Sequence, residues 1–136
     1  MSTPDLPGPF ALTFPAHSSS AVVVRMVAAT IASQAQFTVD RIDDLRLIAD
    51  EFVSALITEV QPDAQIELSL SVGHHGDQPV VRMTGRVQTL RTVLPDESDL
   101  GWTVINALAS QVTASLERDI FHLEIAVTEG GSRSAH

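Results

Sequence analysis

The sequence predicts an α+β domain: a two-layer sandwich in which a mostly antiparallel sheet carries its helices on one face. Three observations lead there. Three segments repeat apolar residues at helical spacing and five shorter ones are apolar or alternate at period two; their order is strand, two helices, two strands, loop, helix, two strands. With 136 residues, 44% of them hydrophobic, and no internal repeat, the chain is the size of one domain able to bury a single core.

Residues 1–9 hold Pro4, Pro7, Gly8 and Pro9 and read as a flexible arm, residues 10–128 as the domain, and residues 129–136 as a flexible Gly/Ser tail. Phe10 to Phe14 alternates and stops at Pro15, the first strand. Ser18, Ser19 and Ser20 offer N-caps for a helix that runs to about Ala35, because a hydroxyl can accept from an unpaired first-turn amide. Its apolar stripe is Val23, Val27 and Ile31 with Val24 and Ala28 alongside, and Arg25 falls off it. The second helix, Val39 to Val60, has Leu45, Ile48, Phe52, Leu56 and Val60 at helical spacing. Thr38 caps it, Asp40, Asp43 and Asp44 complement its dipole, and Gln61-Pro62-Asp63 ends it.

Ile66 to Val72 and Val80 to Met83 form two antiparallel strands joined at GHHGDQ. The stretch from Arg86 to Asp99 has no clear period and reads as a long loop with a new helix start at Pro95-Asp96. The third helix sends Leu100, Val104, Ile105, Leu108 and Val112 to the core. Two strands, Val112 to Leu116 and Ile120 to Val127, meet at the turn Glu117-Arg118-Asp119.

Composition removes several functions. There is no cysteine, hence no disulfide, thiolate zinc site or cysteine nucleophile. All eight basic residues are arginine, which excludes a P-loop lysine and a Schiff-base lysine. A net charge of -9 argues against direct nucleic-acid binding, since phosphate repulsion opposes the main attractive term, and favours a partner with a basic surface. No apolar run approaches the ~20 residues that span a bilayer, and the N-terminus lacks a signal pattern, so a soluble, cytoplasmic protein without membrane contact is expected. His74 and His75 sit at a hairpin tip with no third ligand nearby, so no metal site is expected from them.

The order of elements over residues 10–127, with the segments DDLRLIADE, QPDAQIELSLSV and LGWTVINALASQV, resembles the GHKL (histidine-kinase-like) ATPases. The likeness is to the small anti-sigma-factor serine kinases of the RsbW type, and most to actinobacterial anti-sigma factors of the UsfX kind. In that family a helix carries a glutamate general base one turn before a magnesium-binding asparagine. Glu51 stands at the glutamate position and Ala55 at the asparagine position, with Asp50 and Ser54 flanking that face as partial substitutes. The box whose aspartate reads adenine corresponds to Met83-Thr-Gly-Arg-Val87, which keeps Gly85 and lacks the aspartate. The last glycine box corresponds to Asp99-Leu-Gly-Trp-Thr103, which keeps Gly101 but sets Asp99 where a phosphate would come.

Each missing contact weakens binding by on the order of 1–3 kcal/mol. The resemblance therefore implies a degenerate nucleotide site, with ATP bound weakly or not at all and magnesium only alongside ATP. It further implies an anti-sigma factor that sequesters a stress-response sigma factor, forms a homodimer and is released by an anti-anti-sigma factor. Arg25 on the first helix resembles the family's sigma-factor contacts, and Trp102 is a candidate either to fill the vacated pocket or to anchor a partner. Two alternatives stand beside this: an active ATP-dependent serine/threonine-protein kinase with Glu51 as general base, and a scaffold or ligand-binding domain without a sigma partner.

Overall fold

A computed structural model describes residues 8–96 and 99–130. In chain order it contains β1 (Phe10–Pro15), α1 (Ala21–Gln34), α2 (Val39–Ile57), β2 (Gln65–His75), β3 (Gln78–Gln88), α3 (Leu100–Leu108), β4 (Gln111–Glu117) and β5 (Ile120–Thr128). The five strands form one sheet in the order β1-β2-β3-β5-β4, and every neighbouring pair is antiparallel.

Period-two patterning decides which sheet face is covered. Ile66, Leu68 and Leu70 of β2, Val81, Met83 and Val87 of β3, and Phe121, Leu123, Ile125 and Val127 of β5 are buried on the helix side. Residues between them, such as Glu67, Arg82, Arg86 and Thr113, face solvent. Helix α2 completes the core with Leu45, Ile48, Phe52 and Leu56, all 0% exposed, each contributing roughly 1.5–3 kcal/mol by leaving water. Its start is fixed by Thr38, whose hydroxyl accepts from the Arg41 amide at 3.2 Å.

Several sequence expectations change. Helix α2 ends at Ile57 rather than Val60, because Thr58 turns extended and Glu59 takes a φ of 55°; Val60 instead bridges Thr89. Of the expected stripe of α1, Val24, Ala28 and Ile31 are buried and Val27 packs against the core, whereas Val23 is 53% exposed. Ser20 precedes α1 without capping it through its side chain, which donates to the Pro15 carbonyl at 3.1 Å. β3 runs to Gln88, well into the expected loop, and the turn after β2 is tightened to Gly76-Asp77, where Gly76 adopts a φ of 63°.

The third helix ends at Leu108, so Val112 belongs to β4 alone. Ile105 of that helix is fully buried, and the side chain of Leu100 lies outside the described residues, as do residues 1–7 and 131–136 of the expected arm and tail. Among the described residues no helix is long and apolar enough to cross a membrane.

Candidate functional site

The side of α2 that does not face the sheet repeats Glu51, Ser54, Ala55 and Thr58, a helical spacing that puts them on one stripe. Across from it lie Arg91 and Pro95, which follow β3, and Asp99, Gly101 and Trp102 at the start of α3. Together these residues line a cavity of about 90 Å³. Ser54, Thr58 and Asp99 are exposed at its rim, whereas Glu51, Ala55, Gly101 and Trp102 are half-buried and Arg91 is buried.

Gly101 leaves room for its neighbour: a Cβ built on it would meet Oε2 of Glu51, the end of a flexible side chain. The carboxylate thus rests against the first turn of α3, whose leading amides have no partner within the helix and carry the positive end of its dipole. Asp99, the N-cap residue, is extended and makes no side-chain capping bond. Placing Glu51 there is electrostatically favourable for α3, because its negative charge lies at the positive end of the helix dipole.

Arg91 is the residue that sequence reading missed. It is 9% exposed, its guanidinium carbon lies 5.2 Å from the centroid of the Phe121 ring, and its Nε is buried without a hydrogen-bond partner. Its backbone amide donates to the Thr89 hydroxyl at 3.0 Å. Val87, Thr89 and Arg91 are buried while Gln88 and Leu90 are exposed, so the alternation of β3 continues past the strand's end. That period was present in the sequence, but its polarity is inverted there: leucine points out and arginine in.

Of the residues singled out from sequence, Glu51, Ser54, Ala55, Asp99, Gly101 and Trp102 meet at the cavity. Gly85, Asp50, Arg25, His74 and His75 do not. Gly85 sits on the covered face of β3, where an added Cβ would lie 2.6 Å from Cδ1 of Leu56 and 2.9 Å from Cε1 of Phe52; it is a packing glycine beneath α2. Asp50 is turned to α1, and both its carboxylate oxygens accept from Nη1 of Arg25 at 3.0 Å. Arg25 is therefore already paired within the chain, joining α1 to α2, and Asp50 is not directed to the cavity. His74 and His75 are exposed at the end of β2, and among the described residues no group of three His, Cys, Asp or Glu could hold a metal ion.

The arrangement can offer a small ligand two carboxylates, one guanidinium, two hydroxyls and the edge or face of an indole. Its volume is well below the ~300–1,000 Å³ usual for drug-sized or cofactor ligands. No known family model matches the chain, and no curated protein matches it.

Proposed function

We propose that this protein is an anti-sigma factor of the GHKL type whose nucleotide site has degenerated. The observation that carries the reading is the convergence of Glu51 and Ala55 with Asp99, Gly101 and Trp102 on one cavity, since these come from the two segments that resemble the family's N-box and last glycine box. The small volume, the alanine in place of a magnesium ligand and the Glu51 carboxylate against Gly101 all favour sequestration over phosphate transfer. Glu51 in the cavity is the one feature that favours the alternative, an active ATP-dependent serine kinase acting on an anti-anti-sigma factor.

The partner in this reading is a stress-response sigma factor. Its DNA-binding surfaces are basic, and a domain of net charge -9 attracts and covers them. The homodimer has a suitable face in α1 and β1: Val22, Val23 and Met26 are exposed, and with Phe10 they leave an apolar surface on which Arg25, half-buried, is already neutralised by Asp50. Co-purification of the tagged protein from its native host, followed by stopped-flow association with the captured sigma factor, tests the proposal. Association should slow several-fold between low and physiological salt while dissociation changes little. Recovery without any sigma factor would overturn it.

A further inference from the structure

We infer that the cavity between α2 and α3 binds a small zwitterion of the α-amino acid class, no larger than alanine or serine. The inference rests on the cavity and is independent of the sigma-factor reading.

Charges of both signs line this cavity, yet they do not neutralise one another. Among the described residues no ion pair joins Arg91 to Glu51 or to Asp99, although all three line a space of about 90 Å³. The other arginines of the helical layer each hold an aspartate at about 3 Å, Arg25, Arg41 and Arg46 alike, although Arg41 also keeps a buried Nη2 without a partner. No hydrogen bond joins the Arg91 guanidinium to an acceptor among the described residues; its Nε is fully buried, so only the terminal Nη groups can meet a molecule in the cavity. Its cation–π contact with Phe121 compensates for charge but accepts no hydrogen bond.

The unpaired guanidinium and the two carboxylates together describe a ligand. An anion alone would satisfy Arg91 but face Glu51 and Asp99. A cation alone would satisfy the carboxylates and leave Arg91 as it is. A carboxylate and an ammonium on one carbon satisfy both, with the carboxylate on Arg91 and the ammonium toward Glu51 and Asp99. At the rim the Ser54 hydroxyl can donate or accept, while Thr58, whose hydroxyl donates to the Ser54 carbonyl at 2.8 Å, can accept from whatever the ligand carries outward. The size agrees: about 90 Å³ is on the order of three water volumes, which suits glycine or alanine and not a nucleoside.

Trp102 is the only tryptophan in the chain and lines this cavity, so its fluorescence reports occupancy directly. Glycine, alanine and serine should each give a saturable change at millimolar concentration, whereas acetate and methylammonium, which carry one pole each, should bind at least about 10-fold more weakly. Glu51→Gln should weaken alanine about 10-fold or more with unchanged circular dichroism, and Arg91→Lys should do the same if its fold is kept. Where Arg91→Lys fails to fold, the Glu51→Gln result and the comparison with acetate decide alone. Acetate or inorganic phosphate binding as well as alanine would make this an anion site and overturn the inference. Methylammonium binding as well as alanine, saturation by ATP, or no saturable response to any amino acid would each overturn it too.

Discussion

Helix α2 contacts two glycines on two of its sides, and they serve opposite purposes. Beneath it, Gly85 lets Phe52 and Leu56 press onto the sheet, an apolar contact with no room for a methyl group. Beside it, Gly101 lets a single carboxylate, Glu51, lie against the start of α3 and wall a polar cavity. Both glycines stand at positions where the family resemblance expects a nucleotide contact. The difference teaches that the neighbour a glycine admits reveals its role: Gly85 makes room for apolar packing, Gly101 for a carboxylate.

Substituting each glycine should separate the two roles. Gly85→Ala forces a methyl into Leu56 and Phe52, both 0% exposed, and overpacking of this kind costs roughly 1–3 kcal/mol, so the denaturation midpoint should fall clearly. A midpoint equal to the wild type would mean that α2 sits farther from the sheet. Gly101→Ala meets only the far end of a flexible side chain and gains helix propensity of about 0.5–1 kcal/mol, so stability should hold or rise slightly. Its signature is local: the displaced Glu51 carboxylate should alter Trp102 fluorescence. Loss of stability as large as that of Gly85→Ala would erase the distinction.

The smallest effect belongs to the link between α1 and α2. Arg25 and Asp50 are 37% and 35% exposed, and pairs so open to solvent are worth about 0.2–1 kcal/mol. Arg25→Ala should therefore shift thermal unfolding by only a few degrees at most. If Arg25 also contacts a sigma factor, the same variant weakens that complex far more than it weakens the fold, and equal affinity would assign the residue to the helix pair alone.

How much of this the sequence disclosed follows from how cleanly each segment alternates. α2 was legible because Leu45, Ile48, Phe52 and Leu56 stand out against charged neighbours. α1 was legible as a helix and, apart from Val23, in its facing; the run AVVVRMVAATIA is apolar almost all round, so the edge of its stripe is not marked. β3 was cut short in the reading because Gly85 holds an inward position with no side chain to mark it; the apolar atoms that fill the place belong to α2. Glu51, Ser54, Gly101 and Trp102 were found from motif resemblance, but Arg91 was not, because its burial depends on Phe121, thirty residues on in sequence and brought near only by folding.

The claim that the cavity has ceased to be a nucleotide site is tested most directly by calorimetric titration of the purified protein with ATP and magnesium. The account predicts no saturable binding in the micromolar range and no preference for ATP over GTP, because Ala55 offers no metal ligand, Gly85 is covered by α2, and the Glu51 carboxylate rests against the first turn of α3. Low-micromolar, magnesium-dependent binding of ATP with strong discrimination against GTP would contradict it.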